Sequence, residues 1–238
     1  MKLKFGRGNA KLDKKIYTFS ISAGVTCPGA NICKSRVVIK DGRMQIKDGK
    51  NTKFRCFSAS NEVVFPNVYN SRRKNLMALR SVGRSVPQMT LLIHHSLPKN
   101  AKYIRLHVAG DFFSQVYFDA WLRVAMLNPS ITFYAYTKSI PYWLARIDSI
   151  PNNFILTASL GSRFDDLIIK NKLKCVRVVF SEAEAYKLGL PIDHNDSHAL
   201  NSTGDFALLL HGVQPKGEAS LAKIALGGKG SYPRRIHV

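Results

Sequence analysis

The sequence predicts an α/β protein organised around a parallel sheet, and three observations predict it. Strand-like runs alternate with helix-period segments from residue 103 onward, the spacing of successive βα units. Polar residues recur just past the ends of the predicted strands, the edge where parallel sheets build their sites. The chain has 238 residues, 45% hydrophobic, enough for one sizeable core and too apolar for a disordered or collagen-like chain. Such a pattern makes either an open sheet or a partial barrel. The expected architecture is a partial parallel (β/α) barrel over 103–238, packed into one unit with a basic, irregular segment over 1–102.

Residues 15–21 and 36–39 have strand character, with a turn signal at Asp41-Gly42. The stretch 51–65 reads mostly as loop. Residues 67–82 and 86–97 read as two helices parted near Gly83 and Pro87. From there the alternation is regular: strand 103–109, helix 117–127, strand 131–137 and a short helix at 142–147 after Pro141, where a first helical turn tolerates proline. Strand 154–158, helix 164–170 and strand 176–180 follow. Ser181-Glu182-Ala183-Glu184 has the form of a capping box opening a helix to Leu188, and 206–210 is the last apolar strand. There is no internal repeat and no low-complexity segment.

Charge divides the chain where the periodicity does. Residues 1–105 hold 22 basic and four acidic side chains, against 14 and 11 in the rest, so nearly all of the net +21 lies in the first part. An excess of that size on one region points to a polyanionic partner, nucleic acid first, with Arg36, Lys53, Arg55, Arg72, Arg73 and Lys74 as candidate phosphate contacts. No apolar run is longer than a strand and the start lacks a secretion signal, so no membrane association is expected, and the protein is expected to remain where it is made.

Three of the four cysteines, Cys27, Cys33 and Cys56, fall within 30 residues of one another in the basic region. Pro28 and Gly29 favour a tight turn that brings Cys27 and Cys33 together, and Phe54 and Phe57 flank Cys56 closely enough to shield a centre from water. A structural zinc site wants four ligands, usually two close pairs, and no second pair is near. A 4Fe-4S cluster tolerates irregular spacing and, held by three thiolates, keeps one iron for a further ligand. Cys175 opens a predicted strand, the end opposite the site edge, and reads as a buried thiol.

The strings Thr26-Cys27-Pro28-Gly29-Ala30, Phe54-Arg55-Cys56-Phe57, His107-Val108-Ala109-Gly110-Asp111-Phe112-Phe113, Phe133-Tyr134-Ala135-Tyr136-Thr137-Lys138-Ser139 and Asp193-His194-Asn195-Asp196-Ser197-His198 resemble those of the phage gene product 88 family, over about residues 19–215. The resemblance implies a viral protein, working in the cytoplasm of the infected host cell or on the virion, and implies no activity. A more distant likeness is to radical SAM enzymes, partial α/β barrels with a three-cysteine 4Fe-4S cluster. It implies that Asp111, after Ala109-Gly110, could meet the amino group of S-adenosylmethionine.

Read from the residues alone, Asp111, Thr137, Lys138, Ser159, Ser181 and His211 stand at or beyond strand C-terminal ends. His107 alternates with Arg105 and Ala109 and is expected to point inward. Asp111, Lys138 and His107 are the candidate catalytic residues, Lys138 as an anion stabiliser or a partner of Asp111. The 193–198 run has the composition of a polar loop and also of a second metal site. Tyr134 and Tyr136 read as core, with base stacking as the alternative. There is no Gly-rich phosphate loop, His-Glu-x-x-His or nucleophile elbow, which excludes the corresponding enzyme classes.

The expected function is a viral iron-sulfur protein whose basic surface binds nucleic acid. Its alternatives are a radical SAM-like enzyme with an open cluster iron acting on nucleic acid or another anionic substrate, and a zinc-stabilised nucleic-acid-binding protein.

Overall fold

In a computed structural model, which describes residues 2–8 and 12–227, the alternation becomes a chain of short elements. In order they are β1 (Phe5–Arg7), β2 (Ile16–Phe19), β3 (Ser35–Lys40), β4 (Arg43–Asp48), α1 (Phe57–Val64), α2 (Pro66–Ser81), α3 (Val86–His94), β5 (Tyr103–Leu106), α4 (Gln115–Leu127), β6 (Thr132–Thr137), α5 (Ile140–Leu144), β7 (Phe154–Ser159), α6 (Asp165–Lys170), β8 (Cys175–Val179), α7 (Glu182–Lys187), α8 (Ser197–Asn201), β9 (Phe206–Leu209) and α9 (Glu218–Ala225). Local chemistry explains the firmest boundaries. Ser114 accepts from the Tyr117 amide and Ser181 from that of Glu184, so each is the N-cap of its helix. Glu184 closes the second cap by accepting from the Phe180 amide, one residue before the position a capping box uses.

Seven strands form one sheet in the order β1-β2-β5-β6-β7-β8-β9, parallel throughout except for β1 on β2. The expected partial barrel does not form: the sheet is open, with β1 and β9 at its two edges. Closure would need the outer edge of β2, and the antiparallel β1 already occupies it. The fold argument for the radical SAM likeness goes with the barrel. The sheet also reaches back across the expected division at residue 102, because β2 pairs along its whole length with β5. Of the 103–238 part, residues 228–238 lie outside the described ones.

The main core lies on one face. Phe133 and Ala135 of β6 join Phe19, Ile104, Leu106, Phe118, Trp121 and Phe154 there, under helices α2 to α6. Tyr134, next along β6, points to the other face and packs with Leu12, Val176, Ala199 and Phe206. The strands are not level. Cys175, the first residue of β8, pairs with Ala158, the fifth of β7, so β8 and β9 run on past the ends of their neighbours. That step shapes the site.

Helix α1 occupies part of the expected 51–65 loop. Its buried face is Ser58, Ala59, Ser60 and Glu62, so it carries no apolar stripe to announce it. Tertiary hydrogen bonds hold it instead: the Ser58 hydroxyl donates to the Val108 carbonyl at 2.7 Å and that of Ser60 to Val213 at 3.1 Å. Among the described residues no helix is long and apolar enough to cross a membrane.

Candidate metal centre

The chain leaves β2 at Phe19, and its next residues are pinned to the loop after β5 by the Ile21 amide on the Ala109 carbonyl. Ala23 donates to the Glu62 carboxylate at 2.9 Å, and Thr26 is fully buried with its hydroxyl on the Ser22 carbonyl. Cys27 follows in a turn closed by its amide on Gly24, and the Lys34 ammonium caps its carbonyl at 2.5 Å. The turn is then laid across the C-terminal ends of β6 and β7. Gly29 lies so close to the Lys138 backbone that a Cβ would overlap its carbonyl oxygen. Ala30 bridges to Ser162, Ile32 donates to Gly161, and Arg163 donates to Gly29. Cys33 packs beside Ile32 and Phe54.

Cys56 arrives from another direction, as the residue capping α1. The Ser58 and Ala59 amides of the helix's first turn face its sulfur and favour the thiolate. Burial outweighs them and, with the charge of Cys33, pushes its thiol up to about 11. Cys27 is raised well above the usual thiol value, first by burial, then by the charges of Asp111, Cys56 and Cys33. The charges of Cys56 and Cys33 act on Cys27, and that of Cys33 acts on Cys56. They share one electrostatic neighbourhood in which two thiolates repel, and a bound cation reverses that repulsion. Among the described residues no group of three or more His, Cys, Asp or Glu is gathered tightly enough to hold a single metal ion.

Cys175 takes no part in that neighbourhood. The stagger sets it beside Ala158, nearer the site edge than a level sheet would, but it packs in the main core with Ile168 and Leu173. Burial and then Asp205 raise its thiol to about 12.

Asp111 is buried beside Cys27. Its carboxylate accepts from the Thr137 hydroxyl at 2.6 Å and from the amides of Lys138 and Phe112 at 2.9 and 2.7 Å. Burial holds its carboxyl above the ordinary range, with those donors pulling the other way. Lys138 meets Asp111 through its amide alone. Its buried ammonium turns to the Ser159 carbonyl and hydroxyl at 2.9 and 3.0 Å and to the Leu160 carbonyl. His107 lies just past β5 with φ +58°, its ring edge-on to Phe112 and its Nε2 3.0 Å from the Tyr117 hydroxyl. Burial lowers its imidazole to about 3, so the ring is neutral. Asp111 and the Lys138 ammonium tie the loops after β5 and β7 to the end of β6, and the Lys138 backbone meets the cysteine loop at Gly29, while His107 belongs to the aromatic core behind.

The basic candidates divide. Arg36, Lys53, Arg73 and Lys74 are exposed. Arg55 is forked onto Asp48 at 2.5 to 3.2 Å. Arg72 corrects the expectation: it is buried, donating to the Ser58 carbonyl and to Glu62, and no phosphate can reach it. Composition could not separate it from its neighbours Arg73 and Lys74; helical position does. Glu62 was not singled out from the sequence, although an isolated acid in so basic a stretch was a signal. Of the 193–198 run, Asp193 and Asp196 are fully buried, Asp193 turned onto the Asn195 and Ala199 amides. Asp196 takes Arg105 at 2.8 Å and the hydroxyls of Tyr134 and Tyr136. This network braces the second face of the sheet, and both tyrosines point into it.

A cavity of about 470 Å³ opens on the step above β7. Ile32, Phe54, Leu160, Val178 and Phe180 form its apolar wall, and Lys53, Arg177, Asp165, Glu184 and Glu218 its polar one. Phe54 also belongs to the small cluster that Cys33 packs against, so cavity and Cys33 share one apolar neighbourhood.

Comparison with known proteins bears on this arrangement. A family model described as Gene product 88 matches residues 1–227. The Gene 88 protein of Mycobacterium phage L5 is 50% identical over 40 residues, 17% of this chain and 17% of that protein. The stretch aligned with this relative is thus under a fifth of its length. No solved structure matches the chain.

Proposed function

The chain belongs to the gene product 88 family, and for this member of it we propose an iron-sulfur protein: Cys27, Cys33 and Cys56 hold a 4Fe-4S cluster over the C-terminal edge of the sheet, and the basic N-terminal surface binds nucleic acid. One observation carries the reading. Cys27 and Cys33, on the loop laid across the strand ends, and Cys56, at the N-terminus of α1, come from two separate segments, and Cys33 lies close enough to act on both of the other thiols. A single zinc ion draws sulfurs to about 2.3 Å of one point. A cluster seats each thiolate on its own iron and suits the looser set. Phe54 and Phe57 flank Cys56, and Lys34 supplies positive charge at the Cys27 carbonyl.

Analysis of anaerobically purified protein tests it, with iron and acid-labile sulfide each expected at about four per chain. Cys27→Ala, Cys33→Ala and Cys56→Ala should each lose both, and Cys175→Ala should keep them. Stoichiometric zinc without sulfide overturns the reading in favour of the zinc-stabilised alternative. Nucleic-acid binding should weaken steeply with salt, through counterion release. As a phage-family protein it would act in the infected host cell.

The cavity that shares Phe54 with the cluster around Cys33 favours a second reading, in which the iron left without a cysteine accepts an exogenous ligand. Cyanide or S-adenosylmethionine should then perturb the EPR spectrum of the reduced cluster, and no response to any donor would exclude it. Asp111 is already engaged by three donors, so S-adenosylmethionine has the weaker support among such ligands.

A further inference from the structure

The hairpin β3–β4 is inserted between the second and third cysteines of the candidate centre. Its base is closed by the Gly49 amide on the Lys34 carbonyl, by Thr52 on the same carbonyl and by Arg55 on Asp48. Asp41 and Gly42 both have positive φ, +51° and +71°, the geometry of a tight two-residue turn that keeps the strands in strict register. That register pairs Arg36 with Lys47 and Lys40 with Arg43. By the alternation of a strand all four side chains share one face with Val38 and Gln45. All four are exposed. The opposite face carries Val37, Met44 and Ile46, half-buried, and both strands rest against α1.

Like charges directly opposite one another on a hairpin cost stability. Here two such pairs are stacked on a single face, and among the described residues no carboxylate pairs with any of the four. Residues 34–55 hold eight basic side chains and two acidic ones, of which Asp48 is taken by Arg55. A polyanion is the partner that removes the repulsion. The shape selects which one: a two-stranded ribbon of six residues a strand, about 20 Å long, fits the B-form major groove, about 12 Å wide. The A-form major groove is too deep and narrow to admit it.

We propose that the β3–β4 hairpin is a DNA-reading ribbon, entering the major groove of duplex DNA with Arg36, Lys40, Arg43 and Lys47 against its phosphates. The inference rests on the nucleic-acid part of the proposed function and is independent of which metal the thiols hold. The test uses full-length, anaerobically purified protein and a fluorescent 25-base-pair duplex, with anisotropy read across a salt series. Replacing Arg36, Lys40, Arg43 and Lys47 together by Gln should weaken binding about a hundredfold at 100 mM salt and make the slope of log K against log salt shallower by about 3 to 4. Its circular dichroism spectrum and melting temperature should match the wild type, which shows the variant is folded. A second variant with Arg123, Lys170, Lys187 and Lys216 replaced by Gln removes the same charge from exposed positions outside the basic segment and should keep the wild-type slope. Guanine N7 methylation should inhibit binding, and a minor-groove drug should not. Equal losses in both variants, a larger loss in the second, or tighter wild-type binding to double-stranded RNA or to anionic vesicles than to duplex DNA overturns the ribbon. Absence of any wild-type binding to nucleic acid overturns the underlying reading as well.

Discussion

Gly29 shows how narrowly the cysteine loop is seated. Its missing side chain lets the turn after Cys27 touch the Lys138 backbone, and Ala30 and Ile32 then bond to the loop after β7. Gly29→Ala must push the loop off the strand ends. The expected result is a loss of about 1–3 kcal/mol of stability, as for other overpacked sites, together with reduced iron content. Wild-type values for both would mean that the contact is not required. His107 gives a residue-scale prediction of another kind. Its imidazole is held at about 3 in the folded chain, against 6.5 when unperturbed. Between those values the unfolded chain binds a proton that the native chain does not, so stability is present above pH 6.5 and lost as pH falls. The slope from this group is up to about 1.4 kcal/mol per pH unit. His107→Asn tolerates the positive φ and removes the titrating ring. Urea denaturation at pH 7, 6 and 5 should show the gap between wild type and variant shifting in the variant's favour with acid, and a constant gap would exclude the mechanism. Spacing placed Cys27, Cys33 and Cys56 within 30 residues of one another along the chain. The burial of Arg72 was not legible, because exposure is decided by which face of α2 meets α1.

The element that organises the site is α1, and it was invisible as a helix because nothing apolar marks its buried face. Its hold on the cysteine loop runs through Glu62, which receives the Ala23 amide on one side and Arg72 of α2 on the other. Glu62→Ala leaves the Arg72 cation buried without a counter-charge and should cost about 3–5 kcal/mol. Adding Arg72→Met to it should recover part of that loss, because the uncompensated charge is then gone. A double variant no more stable than Glu62→Ala would show that the Ala23 contact, and not the ion pair, carries the effect; chemical denaturation of the three proteins decides. The strands were legible at this scale because β5 to β9 are apolar and β-branched or aromatic. The hairpin was half legible: Asp41-Gly42 announced its turn, while β4, with Arg43, Gln45 and Lys47 alternating, has too little apolar character to stand out.

Across the described residues, side chains from the basic and the balanced parts of the chain meet in one core. Leu3, Phe19, Ile21, Leu76, Leu79, Met89 and Ile93 from the first part lie in the same core as Trp121, Phe133 and Phe154 from the second. A fragment of residues 103–238 would expose the free edge of β5 and the apolar surface that α2 and α3 cover. It should give no cooperative thermal transition, and a sharp transition by circular dichroism would show an independent domain instead. The sequence by itself determined the order of the parallel strands' segments, the charge asymmetry and the spacing of the cysteines, because each is a property of residue type and position along the chain. Whether the sheet closed, which arginines reached solvent and that Cys175 stood apart from the other thiols were decided only in the tertiary structure. Those outcomes depend on which edge meets which strand, on the stagger between β7 and β8 and on the face each helix buries, relations between distant segments that no local pattern encodes.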